Sequence, residues 1–216
     1  MKSDIQIHKD VIDELAFDPQ IDERDVAVAV SDGIVTLTGA VPSFAQKYAL
    51  ERIVKRIAGV RGIAEEVAVE LPQAHRRNDT DIAAAALNAL AWNAYVPTDA
   101  IQVTVEDGFV TLSGKVDWQF QRTEAEGAVR HLLGVKGVSN VIQLNAFVAP
   151  RDVKHKIERE FERTAEAEAR RIVVETSGGK VVLKGTVHTI AERDDAARAA
   201  WSVPGVTKVE NLIGVG

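Results

Sequence analysis

One stretch of this chain is written three times. Val35-Thr36-Leu37-Thr38-Gly39 returns as Val110-Thr111-Leu112-Ser113-Gly114 and again as Val181-Val182-Leu183-Lys184-Gly185. A Gly-Val pair follows each copy at one interval, at Gly59-Val60, Gly134-Val135 and Gly205-Val206, and a turn glycine precedes each at Gly33, Gly108 and Gly179. A fixed internal spacing held three times means a tandem structural unit of roughly 70 residues. The phase divides the 216 residues into repeats 1–75, 76–149 and 150–216. Domains this small bury little core, so neighbouring repeats are expected to support one another.

The repeats share one order of elements. Ile5, Ile7, Val11, Ile12 and Leu15 open the first on an amphipathic helix, matched by Ile82, Ala86, Leu87 and Leu90 and by Val153, Ile157 and Phe161. Asp79 or Asp81, and Asp152, are expected to cap these helices. Val26, Val28 and Val30 alternate before Asp32-Gly33, and Val35 and Leu37 alternate after it, which predicts a β-hairpin. Asp107-Gly108 repeats that turn, and Ser177-Gly178-Gly179-Lys180 replaces it in the third copy. Gly39, Gly114 and Gly185 are read as ending the second strand, where close backbone approach or an unusual φ suits glycine best.

A second helix carries Leu50, Ile53, Val54 and Ile57, then Ala125, Ala128, Val129 and Leu132, then Ala196, Ala199, Ala200 and Val203. Gly59, Gly134 and Gly205 are placed as its C-terminal caps. A last strand closes each repeat over 66–71, 138–144 and 206–213. The class is α+β: three tandem αββαβ units, each a mixed three-stranded sheet with two helices on one face.

Composition narrows the function. With 46% hydrophobic and 27% charged residues the chain reads as an ordinary globular protein. A net charge of −6 weighs against general nucleic-acid binding, which leans on basic surface. The charge runs −5, −2 and +1 through the three repeats, so the last is the one suited to an anionic surface. There is no cysteine, which excludes disulfides and thiolate metal sites. The N-terminus lacks the apolar core of a secretory signal, and no span is long enough to cross a bilayer. The expected location is therefore cytoplasmic, or periplasmic where a leader has been removed.

The hairpin with Asp-Gly, the Val-x-Leu-x-Gly-x-Val strand, the helix followed by Gly-Val and the closing Asn-bearing strand resemble the BON domain (bacterial OsmY and nodulation) family. The third repeat is the closest, in Val203-Pro204-Gly205-Val206 through Val209-Glu210-Asn211-Leu212-Ile213. The second keeps Asn140-Val141-Ile142, whereas the first has Glu65-Glu66-Val67 in that stretch. The resemblance implies non-enzymatic modules that associate with phospholipid or cell-envelope components, many linked to osmotic stress.

No pattern of residues points to catalysis. His8, His75, His131, His155 and His188 have no metal-ligand spacing, and Asp22-Glu23-Arg24-Asp25 and Asp194-Asp195 read as solvated charge. No cofactor and no metal are expected. Gly59-Val60-Arg61-Gly62 and Gly134-Val135-Lys136-Gly137 have the form of a backbone-clamping loop, but they join a helix to a strand, so they read as caps. Trp118 and Phe120, with Arg122 after them, are the candidate contact residues: two bulky rings stand where the other repeats have Ser43-Phe44-Ala45 and Thr189-Ile190-Ala191. Such a pair beside a cation suits a membrane interface or a partner groove, or else packing between repeats. Trp92, Tyr95 and Trp201 read as core or inter-repeat contacts. The expected partner is an anionic phospholipid surface, with a protein scaffold as the alternative and nucleic acid weighed against.

Overall fold

Valines that alternate about a short turn bury one face of a strand pair, and the computed structural model contains three such hairpins. It describes residues 2–145, 172–177, 179–203 and 205–216. The first repeat comprises α1 (Asp4–Phe17), β1 (Val26–Ser31), β2 (Ile34–Val41), α2 (Phe44–Val54) and β3 (Gly62–Val69). The second comprises α3 (Asp79–Ala91), β4 (Ile101–Glu106), β5 (Phe109–Val116), α4 (Gln119–Arg130), β6 (Gly137–Asn140) and β7 (Gln143–Leu144). The third shows β8 (Ile172–Ser177), β9 (Lys180–Val187), α5 (Ile190–Trp201) and β10 (Lys208–Val215). The helix expected on Val153, Ile157 and Phe161, with its cap at Asp152, lies outside the described residues.

Each sheet has the hairpin's second strand at its centre, in the orders β1-β2-β3, β4-β5-β6 and β10-β9-β8. In the second sheet β4 runs antiparallel to β5, with Val103 opposite Leu112, while β6 runs parallel, with Val110 opposite Val138. The third sheet is mixed in the same way, with Val174 opposite Leu183 and Val181 opposite Val209. The closing strand expected over 138–144 is divided into β6 and β7, but both pair with β5 in one unbroken register.

The hairpin turns are anchored in a way the sequence did not announce. Asp32 and Gly33 have φ of 52° and 75°, and Asp107 and Gly108 have 49° and 82°, as a two-residue turn on a right-twisted ladder requires. The Asp79 carboxylate accepts hydrogen bonds from the Asp107 and Gly108 amides, both at 2.9 Å, and Asp4 does the same for Asp32 and Gly33 at 2.9 Å each. Asp79 is therefore spent on the turn rather than on its own helix. The cap of α3 is Asn78, whose side chain accepts from the Asp81 amide at 2.8 Å, and Ser3 caps α1. In the third hairpin Gly179 lies outside the left-handed region.

The strand glycines also differ from expectation. Each strand runs two residues past its glycine, to Val41, Val116 and Val187. Gly114 pairs with Ile101 at the entrance of β4, where its φ is 129° and a Cβ would lie 2.0 Å from the Ala100 carbonyl oxygen. Close approach of two backbones demands glycine there, as expected, although the strand continues past it.

Packing gathers the described residues into two bodies, those within 2–38, 50–66 and 172–216 in one and residues 39–49 and 67–145 in the other. In the latter, Ile82, Ala86 and Leu90 of α3, Val110, Leu112 and Val116 of β5 and Ala125 and Val129 of α4 form one buried core, with Phe44 packed against it. Leu87 was expected on the core stripe and is exposed instead, one position off the buried i, i+4 row of Ile82, Ala86 and Leu90, and Ile5, two positions before Ile7, is exposed as well. In the former body, Val174, Val181, Leu183, Ala196, Ala200 and Ile213 make a second core. There too Lys55 pairs with Glu51 at 3.0 Å and Asp194 at 3.2 Å, and its carbonyl accepts from the Ala191 amide at 2.8 Å. Burial works against the Lys55 charge, but the two carboxylates outweigh it and raise its pKa.

Two predictions follow from these contacts. Gly114→Ala should lose about 3 kcal/mol or more, whereas Gly127→Ala, a helical position where an added Cβ meets nothing within 4 Å, should gain about 0.5–1 kcal/mol in urea unfolding. Because the folded-state pKa of Lys55 is raised, its stabilisation is fully present below the ordinary lysine value and is lost as pH rises through the folded value. The stability gap between the native chain and Lys55→Met should therefore be constant near neutral pH and shrink only above about pH 10.4. A gap that closed on acidification within the neutral range would contradict the pairing.

Candidate functional site

The start of the second helix separates the three repeats. A residue preceding a helix should offer a short polar side chain to the unpaired first-turn amides. Ser43 does so before α2, accepting from the Gln46 amide at 3.3 Å, and Thr189 does so before α5, accepting from the Glu192 amide at 3.0 Å. The second repeat has Trp118 in that position, and an indole has no acceptor to give. Gln121 supplies the reciprocal half of the cap, its side-chain oxygen accepting from the Asp117 and Trp118 amides at 3.0 Å each. Giving up the hydroxyl costs about 1 kcal/mol. The ring must bring something else.

Trp118 leaves 36% of its surface accessible and Phe120 49%, and their rings stack at 24° with centroids 6.5 Å apart. Tyr95, from the loop after α3, stands edge-on to Phe120 at 6.1 Å and 87°. Asn93 fixes that loop, accepting from the Tyr95 amide at 3.0 Å and donating to Glu124 of α4 at 3.4 Å. Tyr95 is 65% exposed and Trp92 86%, which corrects their expected place in a core. The reason is phase: the buried stripe of α3 is Ile82, Ala86 and Leu90, and Trp92 follows the last turn off that stripe. Trp201 packs half-buried against the core of the third repeat.

Arg122 has a different setting from its aromatic neighbours. It is half-buried and donates to the Asn140 carbonyl at 2.9 Å, while the Asn140 side chain donates back to the Arg122 carbonyl at 2.8 Å. Asn211 makes the matching bond to the Arg193 carbonyl at 2.8 Å, and Lys47 in the first repeat reaches the Val67 carbonyl at 2.7 Å. This helix-to-strand tie was not read from the sequence, although the Asn-x-Ile motif that carries it was visible. The carboxylates beside the rings are Asp117, which accepts from Asn145 at 2.7 Å, and Glu124, one helical turn beyond Phe120.

The other candidates are structural or scattered. Gly39, Gly114 and Gly185 have φ of 132°, 129° and 145°, and Gly59, Gly134 and Gly205 have 92°, 90° and 91°. The last three do not directly follow their helices. Gly59 and Gly134 are third residues of separate turns closed by Val60 to Ile57 and by Val135 to Leu132, and Val206 donates to Val203 in the same way. The valines of the Gly-x-x-Gly loops are buried and their cations lie across the hairpin turns, with Arg61 against Gly33 and Lys136 against Gly108. A surface cavity of about 670 Å³ includes Leu71, Arg76, Arg77, Asp79, Asp107 and Lys136 in its lining. Its one helix-borne carboxylate, Asp79, already holds the turn amides. Among the described residues no cluster of His, Asp and Glu could hold a metal, and no helix is long and apolar enough to cross a membrane.

Comparison with known proteins adds three findings. Residues 3–70, 78–146 and 151–216 each match the family model of the BON domain. "Osmotically-inducible protein Y" of Escherichia coli (strain K12) is 32% identical over 124 residues; the match covers 56% of this chain and 62% of that protein, so the chain spans under two thirds of its length. Two structures of CdsD, a structural protein of the type III secretion system of Chlamydia trachomatis, are 16% identical at TM-scores of 0.28 and 0.25. They cover 100% and 96% of this chain and 100% and 91% of theirs, and at such scores the likeness carries no weight.

If the outer rings serve contact rather than folding, removing them should leave the fold intact. Trp92→Ala and Tyr95→Ala should each shift stability by no more than about 0.5 kcal/mol, as surface substitutions do. A loss above about 2 kcal/mol in chemical unfolding would assign those rings to packing.

Proposed function

Because the chain belongs to the BON domain family, we propose that it is a non-catalytic binding protein of three modules, 1–75, 76–149 and 150–216, whose contact surface is the aromatic cluster of the second. The observation that supports this reading is the exposure of Tyr95, Trp118 and Phe120, joined ring to ring at one helix start, where the sibling repeats carry capping hydroxyls. Exposed, ring-rich patches are contact surfaces. The relative named for osmotic induction supports a role in osmotic or general stress response.

Two targets suit such a surface. Tryptophan and tyrosine sit well at a phospholipid interface, and an anionic membrane would in addition need cations beside them. The residues beside these rings are Asp117 and Glu124, and Arg122 is tied to the Asn140 carbonyl. That charge pattern favours a protein partner over an anionic membrane. The reading fits a reducing or an oxidising compartment alike, since a chain with no cysteine needs neither.

Flotation of the purified chain with anionic and with zwitterionic vesicles separates the targets. The expected result is no flotation with either composition at moderate salt. Flotation that Trp118→Ala abolishes would move the cluster to the membrane and overturn the protein-partner reading.

A further inference from the structure

We propose that the aromatic cluster is a docking site for a basic segment of a partner protein, with an arginine or lysine side chain lying on the Phe120 and Tyr95 rings and paired with Asp117 and Glu124. The proposal rests on the protein-partner reading above and names the chemistry of that partner. Its basis is charge complementarity. Aromatic faces are the negative part of their quadrupole, so rings flanked by carboxylates present an attractive surface to a cation. Asp117 immediately precedes Trp118, Glu124 follows Phe120 by one helical turn, and Asn93 links Glu124 to the segment carrying Trp92 and Tyr95.

The cations of this part of the chain are engaged elsewhere or face away. Arg122 donates to the Asn140 carbonyl, Arg130 pairs with Glu126, and strand alternation puts Lys115 on the outer face of the sheet, opposite the buried Val116. The same body shows what such an arrangement holds. Arg130 lies over the Tyr48 ring with its guanidinium carbon 3.6 Å from the centroid, while Glu126 takes its charge at 2.8 Å. One ring face and one glutamate thus seat an arginine inside the fold. At the surface three rings joined through Phe120 and two carboxylates offer the same chemistry to an incoming side chain. The second repeat alone has this arrangement, since the matching positions are Ser43 and Ala45 in the first and Thr189 and Ala191 in the third.

A fluorescein-labelled oligoarginine peptide, read by anisotropy with the full chain, tests the proposal, with a citrulline peptide of equal length as the neutral comparison. An acidic chain attracts polycations at any surface, so the ring variants decide. Phe120→Ala and Tyr95→Ala, which leave the net charge unchanged, should each weaken oligoarginine binding about tenfold. Asp117→Asn with Glu124→Gln should weaken it as much, whereas Asp13→Asn with Glu14→Gln, the same change of charge on α1, should leave it within about twofold. The citrulline peptide should not bind. Equal losses from both charge pairs, or ring variants that bind like the native chain, would overturn the proposal in favour of diffuse electrostatic attraction. That outcome is distinct from failure of the broader reading, which only Trp118-dependent flotation would overturn. Circular dichroism of each variant separates lost binding from lost fold.

Discussion

The hairpin turn locks each repeat. Its two residues take left-handed backbone in the first and second copies, which strains a non-glycine residue such as Asp107. That strain is offset from two directions. From one side the carboxylate of the first helical residue, Asp4 or Asp79, takes both turn amides. From the other, the residue after Gly-Val donates to the turn glycine's carbonyl: Arg61 to Gly33 at 2.8 Å, Lys136 to Gly108 at 2.9 Å and Thr207 to Gly179 at 2.8 Å. Helix, hairpin and closing strand therefore meet at one point, and the parallel register of the closing strand is set there. This explains why the spacing of three glycines is held while the residues between them vary.

A frame so fixed places the ends of its helices reproducibly, and the second repeat exploits that. With α3 pinned to the turn by Asp79 and α4 tied to β6 by the Arg122–Asn140 exchange, the end of one helix and the start of the next are held side by side, and Asn93 links them through Glu124. The position before α4 is then free to lose its capping hydroxyl. A loss of about 1 kcal/mol is tolerable in a repeat whose core is otherwise complete. Phe120 stands on α4 and Trp118 immediately before it, which suits recognition better than a long loop would.

Much of this was legible because it is periodic. Alternating valines gave the hairpins, the 3.6-residue spacing of Ile82, Ala86 and Leu90 gave the buried helix face, and the threefold repetition is the three copies of the family domain. What escaped was local competition between donors and acceptors. Asn78, Asp79 and Asp81 are all able to cap α3, and the choice among them depends on a turn 29 residues away, which a sequence window does not contain. Trp92 and Tyr95 were misplaced because hydrophobic size was read as burial, although neither falls on the stripe. Arg122 looked like a surface cation, and its tie to Asn140 became visible only once helix and strand were adjacent.

The free faces of the sheets carry the same lesson about where specificity resides. Thr104, Thr111 and Ser139 form a row of hydroxyls across the second sheet. The third sheet instead places Val173, Lys184 and Leu212 in one row and Glu175, Val182 and Glu210 in the next, with Lys184 bonded to Glu175 and Lys180 to Glu210. Such exposed pairs contribute little to stability, so they are under weak constraint from folding. The cores, by contrast, repeat valine and leucine at matching positions. Duplication thus copied a frame whose interior cannot drift, and left three outer surfaces that could. The second surface carries aromatic rings and carboxylates at a helix start, where its siblings carry capping hydroxyls.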